Sequence, residues 1–464
     1  MPRQLPADCL NEIFEKLEDK TSLYSCLLVN RLWSEVSVGI LWRNVWNYNT
    51  LINCLPKESK EALYKNEIIM NPSYSKPLFN YVSFIRRLSI DEIFRKIANI
   101  LRNYYPLAQQ ILIDIKCVVI IEELFKMLMS RISLKKLNIR SNIIPNFLFF
   151  FYPGAINSFK YLSAFGCCSD ICPEYFYQLS QMCHNVELLS ITLKPVISDG
   201  LTDLISVQQN LKSIKIYQSY KCKSLTRIIP FLAKHSNTLT KVNINGVYDE
   251  SLLFLVNSIN LQELVLYHYN DFFEDFKTLQ HITFPQLRVL KFKHQHINQD
   301  YFIKFLENNG KNLEEYYGIN NNTINLSIGK FCSNLKLLCT TFMRNESEAL
   351  IVILSNCHLL EGIKVLCGNY YLNESELLEV VAKHSPKPFY KLTLFYAYKS
   401  LSKLLPKELK SFFTSWKDRT PQKSLNFAIN TRHAMNNLDF KKENMNVIEK
   451  FVKLGVIKKF SMLD

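Results

Sequence analysis

Leu211-Lys212-Ser213-Ile214-Lys215-Ile216 decides the fold, because it is one copy of many. The same apolar-x-x-apolar-x-apolar unit returns as Leu134-Lys135-Lys136-Leu137-Asn138-Ile139, Leu239-Thr240-Lys241-Val242-Asn243-Ile244, Leu261-Gln262-Glu263-Leu264-Val265-Leu266 and Leu287-Arg288-Val289-Leu290-Lys291-Phe292. Weaker copies begin at Ile85, Ala108, Phe159, Val186, Leu313, Leu335, Leu360, Phe389, Leu409 and Ile457, and a further strand is expected over Leu425 to Ile429. Alternation at the last positions of each unit predicts a short strand with one face buried. Helical patterns lie between the copies, at residues 225–234, 251–257, 301–308 and 375–383.

One strand and one helix of this size cannot bury an apolar face alone, whereas a stack of them buries a continuous core. From Ile85 to Leu409 the first positions recur every 20 to 29 residues, which is the period of leucine-rich repeats. Residues 85–464 therefore resemble a leucine-rich-repeat array of about 14–16 degenerate units. The expected fold class is α/β, a curved solenoid with a parallel inner sheet and outer helices. The resemblance also implies Asn or Cys three residues beyond the last apolar strand position. Asn142 and Cys167 fit, and most copies do not. The last strand is expected to have its edge protected by a helix near residues 443–453 and by the charges of Lys458, Lys459 and Asp464.

The N-terminal segment has a different grammar. Leu10, Ile13, Phe14 and Leu17 fall at i, i+3, i+4 and i+7, an apolar helical stripe. Pro6 suits a first helical turn. Asp19 or Thr21 can cap a second helix through Leu23, Leu27 and Leu28, and Asn30 can cap a third through Leu32, Trp33, Val36 and Ile40. Three short helices in about forty residues make too small a core to stand alone, so their surplus of large apolar residues implies a partner surface.

Leu5-Pro6-Ala7-Asp8-Cys9-Leu10, the stripe that extends from it, and Val29-Asn30-Arg31-Leu32-Trp33 resemble the F-box, over residues 5 to about 46. The resemblance implies a three-helix module, residues 1–46, that docks on a Skp-type adaptor and through it on a cullin. The residues it implies for docking or for holding the module are Leu5, Pro6, Leu10, Ile13, Phe14, Leu17, Val29 and Trp33. Cys9 stands where Glu-Leu is usual after the Asp, and Asn30 where Cys is frequent; neither removes an apolar anchor. Residues 47–84, with Pro56, Pro72 and Pro77, are expected to form a partly helical linker.

Composition narrows the function classes. Of 464 residues, 48% are hydrophobic and 21% charged, which excludes an intrinsically disordered chain. A formal charge of +15 favours acidic partners. The basic residues come in pairs such as Arg86-Arg87, Lys135-Lys136, Lys441-Lys442 and Lys458-Lys459, without the aromatic–basic motifs of nucleic-acid folds, so nucleic acid is an unfavoured partner. The 13 cysteines, with no secretory leader in view, are expected to be reduced and mostly core. No apolar run is long enough to span a bilayer, so no membrane partner is expected.

The chemistry expected is binding rather than bond-making. No phosphate-binding glycine loop, H-E-x-x-H or G-x-S-x-G motif occurs, and no catalytic residue or cofactor is expected. Cys167-Cys168, Cys172 and Cys183-His184 lack the regular pair spacing of zinc sites, and no metal is expected there. His294 and His296 share a strand face but lack a second ligand pair. As an F-box/leucine-rich-repeat protein, the chain would be the non-catalytic substrate receptor of a Skp–cullin–F-box ubiquitin ligase, cytoplasmic or nuclear. The alternative is an interaction scaffold that delivers no substrate. Exposed strand positions Lys136, Asn138, Arg140, Lys212, Lys215, Lys241, Asn243, Arg288, Lys291 and Lys293 are the candidate substrate contacts, and their charge points to an acidic or phosphorylated protein segment.

Overall fold

A computed structural model describes residues 5–17, 19–68, 77–140, 149–219, 225–246, 252–268, 276–293, 298–319, 321–368, 370–396, 404–420, 423–430 and 442–463. Asn142, His294, His296 and Asp464 lie outside the described residues, as does the side chain of Lys293. The chain divides into two compact units, Met1–Cys222 and Lys223–Asp464.

The first unit opens with α1 (Ala7–Glu15), α2 (Lys20–Leu27) and α3 (Arg31–Leu41), then α4 (Tyr48–Asn53) and α5 (Lys57–Lys65). Five strands come next: β1 (Arg87–Ser89), β2 (Lys136–Ile139), β3 (Ala164–Cys168), β4 (Leu188–Leu193) and β5 (Ser213–Gln218). Each pairs with the next in parallel. Between them run α6 (Ile90–Tyr104), α7 (Gln110–Met129), α8 (Ala155–Phe159), α9 (Pro173–Met182) and α10 (Asp199–Ser206). Strand order equal to chain order is what a stack of strand–helix repeats requires.

The rungs are joined by a recurring backbone device. Two consecutive N–H groups donate to one carbonyl of the rung before, which uses both of its lone pairs. Lys135 and Lys136 donate to Arg86 O at 2.7 and 3.0 Å, Ser163 and Ala164 to Lys135 O at 3.0 and 2.9 Å, and Glu187 and Leu188 to Ser163 O at 2.8 and 3.0 Å. Alternating burial along β4 turns Leu189, Ile191 and Leu193 inward.

The second unit repeats the plan with β6 (Lys241–Gly246), β7 (Glu263–His268), β8 (Val289–Lys293), β9 (Glu315–Tyr317), β10 (Leu337–Thr341), β11 (Gly362–Cys367), β12 (Lys391–Tyr396), β13 (Leu425–Asn430) and β14 (Ile457–Leu463). These too pair in chain order, all in parallel. Its helices are α11 (Ile229–Ala233), α12 (Phe276–Leu279), α13 (Gln299–Asn309), α14 (Asn322–Phe331), α15 (Ser347–Asn356), α16 (Glu374–His384), α17 (Pro406–Lys417) and α18 (Lys442–Lys453). The helix patterns at 301–308 and 375–383 became α13 and α16. Those at 225–234 and 251–257 shrank to the five residues of α11 and a 3₁₀ turn, Leu252–Leu255. Aromatic rings fill the space between sheet and helices: Phe276 sits 4.9 Å from Phe302 and 5.1 Å from Phe305, and Phe413 of α17 lies 5.6 Å from Phe427 of β13.

Three repeat copies expected from sequence are corrected. Ala108 starts no strand; it precedes the 20-residue helix α7, whose buried Ile113, Cys117, Ile120, Ile121, Leu124 and Leu128 follow a helical period that wins over the shorter pattern. Leu409 lies inside α17, buried with Phe412, Phe413 and Trp416 at i, i+3, i+4 and i+7. The Phe159 copy is three residues out of frame. Register pairs Leu137 with Phe165, so the unit begins at Leu162.

Asparagine has a structural use that the pattern rule placed elsewhere. It sits just before the first apolar position and ties one repeat to the previous one. Asn210 Nδ2 donates to Asn185 Oδ1 at 3.1 Å, Asn260 Nδ2 to Asn237 O at 2.8 Å, and Asn334 Nδ2 to Lys311 O at 2.9 Å. Buried Asn309 accepts from Phe284 N and donates to Ile282 O and Phe305 O, so its carboxamide is satisfied. Gly200 is required by close approach: a Cβ there would stand 2.6 Å from Pro173 O and 2.9 Å from Phe176 Cβ, where α10 meets α9.

The thiols are core groups. Cys117, Cys167, Cys183, Cys332, Cys357 and Cys367 are buried and unbridged, whereas Cys9 and Cys172 are exposed. Burial pushes the Cys117, Cys183 and Cys357 thiols up to about 12. A thiol with a raised folded pKa adds stability that is full below its ordinary value of about 8.5 and is lost as pH rises through the folded value. Alkylation of the native protein at pH 8 should therefore modify Cys9 and Cys172 and spare these buried thiols together with buried Cys26 and Cys168, and its melting temperature should fall between about pH 9 and 12. Mass mapping that finds Cys183 or Cys332 labelled without denaturant would contradict this packing.

Candidate adaptor-docking module

Pro6 immediately precedes α1, and Leu10 N donates to its carbonyl at 3.1 Å. Asp19 caps α2 by accepting from Ser22 N at 2.6 Å, and Asn30 caps α3 by accepting from Trp33 N at 2.9 Å. The Ser22 hydroxyl and backbone N–H hold the Asp19 carboxyl below its usual range. Arg43 reaches back to Glu15 at 2.5 Å, and this pairing holds the Glu15 carboxyl low as well.

These helices enclose a small core of Leu10, Phe14, Leu23, Cys26, Val38, Leu41 and Trp42. Phe14 meets Trp33 edge-on at 5.0 Å. The candidate docking residues thus separate into two sets. Leu10 and Phe14 are buried, and Leu17 and Trp33 are half-buried against the core. Leu5, Pro6, Ile13 and Val29 are exposed. Leu28, which the sequence pattern placed among the apolar residues of the second helix, is the most open of the apolar side chains here, at 89%. Leu28 and Val29 lie beyond the last turn of α2, so the helix period that marks inward residues no longer applies to them.

Part of the surplus apolar surface is covered from within the chain. Phe79, Tyr81 and Phe84, in the segment expected to be a linker, pack on the helical core, with Tyr81 4.5 Å from Trp42. The chain leaving α3 then becomes a rung of the sheet: Arg86 and Arg87 N donate to Arg43 O at 3.0 and 2.9 Å, and Asn44 bridges Arg87 in parallel. The three-helix module is therefore built onto the edge of β1 by the same backbone device that joins the repeats.

In each unit the candidate substrate contacts whose side chains are described lie on or beside the strand faces turned away from the helices. Lys136 and Asn138 alternate with buried Leu137 and Ile139, and Lys215 shares the Asn138 row through Gly166 and Ser190. Arg140 and Arg288 are exposed, just outside their strands. Several of these cations are already paired. Lys212 meets Glu187 at 2.9 Å, while Lys241 and Lys291 share Glu263 at 3.4 and 3.6 Å. Lys241 registers with Glu263 of β7, so that row carries mixed charge, while Asn243 registers with the neutral Val265. The sequence pattern missed Lys364, Lys391 and Lys459, which occupy the same outward rows in later strands. Applying the strong-copy rule to the copies at Leu360, Phe389 and Ile457 would have found them.

Cys167, Cys168, Cys172, Cys183 and His184 do not converge. Cys167 is buried in β3, Cys183 Sγ points to Phe159 O at 3.6 Å, and His184 is exposed. Among the described residues no group of three or more His, Cys, Asp or Glu could hold a metal ion. No described helix is long and apolar enough to cross a membrane.

No curated protein sequence matches the chain. The geometry of capped helices, a closed small core and an open apolar rim at Leu5, Ile13, Leu28 and Val29 coincides with a family-model match: residues 3–47 match the F-box-like family.

Proposed function

We propose that this chain is the substrate-receptor subunit of a Skp–cullin–F-box ubiquitin ligase, acting in the cytoplasm or nucleus. The F-box-like helices dock on a Skp-type adaptor, and the leucine-rich-repeat-like strands hold a protein substrate. The observation that carries this reading is the rim of Leu5, Ile13, Leu28 and Val29, left exposed by a module whose own core is already filled. Large apolar side chains left exposed on a folded module support an interaction surface there. The chain itself makes no bonds in this scheme; it raises the effective concentration of substrate beside the ligase. A scaffold that binds the adaptor without delivering clients shares the same docking surface. Affinity purification from cells with the proteasome inhibited separates the two. Recovery of adaptor, cullin and ubiquitylated clients is the expected result; adaptor without cullin or clients favours the scaffold, and absence of adaptor sinks both.

A further inference from the structure

The second unit holds a cavity of about 550 Å³ on the open face of its last strands. Lys364, Lys391 and Lys459 line it together with Tyr317, Phe395 and Asn426, and among the described residues no carboxylate does. The cations come together through register. Gly362, Lys391, Asn426 and Lys459 form one row across β11 to β14, and Lys364 lies opposite Thr393 in the next. Parallel strands stand about 4.8 Å apart, so the backbones of Lys391 and Lys459 are separated by about 10 Å.

A bulge places the third cation. The register between β13 and β14 slips at Leu425/Asn426, so that Lys458 is skipped and Lys459 stands opposite Asn426. The slip leaves Phe460 opposite Phe427, with their rings stacked at 6.0 Å. Bulges re-aim side chains in this way. Earlier on the same face Lys241 and Lys291 are balanced by Glu263. Among the described residues Lys364, Lys391 and Lys459 have no acidic partner; Lys364 lies over the Tyr317 ring at 5.5 Å. The cavity wall also holds a carboxamide oxygen, Asn426 Oδ1, that is buried without a hydrogen-bond donor.

We infer that this cavity is the anion-recognition pocket of the substrate site, taking a phosphate or carboxylate carried on an apolar stem within a peptide segment. Three cations that have no acidic partner among the described residues, in a concave, part-apolar site, focus the field on an anion. Charge-assisted hydrogen bonds from lysine are stronger than neutral ones. The rings of Tyr317 and Phe395 give the stem an apolar wall. The described lining, from Tyr317 of β9 to Ser461 of β14, holds three lysines among apolar and neutral polar residues, which fits one anionic side chain better than the continuous basic track that a nucleic-acid backbone needs. This rests on the substrate-receptor reading and places recognition at Lys364, Lys391 and Lys459 rather than at the paired Lys241 and Lys291.

The test offers the full-length chain peptide arrays with degenerate flanks and one fixed central residue: phosphotyrosine, phosphoserine, glutamate or alanine. A single-stranded RNA oligomer is offered in parallel. Phosphorylated or glutamate-centred arrays are expected to bind at least about tenfold more tightly than alanine-centred ones, since one charge-assisted contact accounts for that factor. Comparing the phosphorylated and glutamate arms identifies the source of the anion. Lys391→Glu with Lys459→Glu should erase the preference, Lys391→Gln with Lys459→Gln should reduce it, and Lys136→Glu with Lys212→Glu in the first unit should leave it. Equal binding of alanine arrays, no array binding, a preference that survives the double reversal, or lysine-dependent binding of RNA alone would each overturn the proposal. Adaptor capture by the same samples keeps the two readings apart. Captured adaptor with no anion preference removes only this pocket, whereas an anion preference without adaptor removes only the ligase.

Discussion

Leu28→Asp with Val29→Asp is expected to lower adaptor capture by at least about 100-fold while leaving the melting temperature within a degree or two. Leu28 and Val29 are 89% and 56% exposed, so the folded chain gains little from them. Surface changes of that kind stay within about 0.5 kcal/mol of neutral. Burying one such side chain in a partner contributes about 1.5–3 kcal/mol, and each 1.4 kcal/mol is tenfold in affinity. Two lost anchors account for the factor, and two carboxylates forced into a dry interface add to it. Helix-end effects nearly cancel. An acid at position 28 opposes the dipole at the end of α2, and one at position 29, before the Asn30 cap, suits the start of α3. Leu10→Ala with Phe14→Ala is a poorer probe, because both residues are core and their loss costs about 2–5 kcal/mol each. Unchanged adaptor binding in the Leu28/Val29 variant, measured by surface plasmon resonance, would move the docking surface elsewhere.

Trp42→Ala should be among the most damaging substitutions in the N-terminal module, costing about 3–5 kcal/mol. Trp42 is 1% exposed, tilted against Tyr81 at 4.5 Å and Trp46 at 5.8 Å. Through Tyr81 it fastens the segment that leads into β1, whose first rung hangs on Arg43 O. Hydrogen exchange should therefore accelerate over residues 79–89 as well as in α1 to α3. If residues 79–84 were a passive connector, their exchange would not change. A variant with normal protection across 79–89 would show that the three helices fold independently of the first rung of the sheet.

Both expectations turn on a distinction that spacing alone could not make. The stripe Leu10, Ile13, Phe14 and Leu17 is one face of a helix, and periodicity treats its members alike. Packing does not: Leu10 and Phe14 face α3, while Ile13 is 48% exposed at the border of the stripe. Leu28 was legible only as one more apolar residue of α2, because its exposure depends on where that helix stops. Tyr81 and Phe84 carried no periodic signal, since a 3₁₀ turn beside prolines is too short to have one.

The repeat was legible where strand and helix each kept its own period, from Val186 to Phe389. It misled where apolar residues were dense enough to satisfy both patterns. In α7 a run of Ile, Leu and Val fits strand spacing locally, and only its length of 20 residues decides for helix. Leu409 failed for the same reason. The basic residues were legible as charges but not as free or paired charges. Lys291 stands out in the sequence and is held by Glu263; Lys391 does not stand out and has no such partner among the described residues.

The sequence by itself determined the strand–helix alternation, the capped N-terminal helices and the family resemblance that names a partner. Each of these is written in the order of neighbouring residues, through period, caps and turn chemistry. The tertiary structure decided which apolar side chains remain for a partner and which cations remain for a ligand. That is a matter of what lies across from a side chain, a residue about twenty-five positions away on the next rung. Register set it, down to the bulge that chooses Lys459 over Lys458.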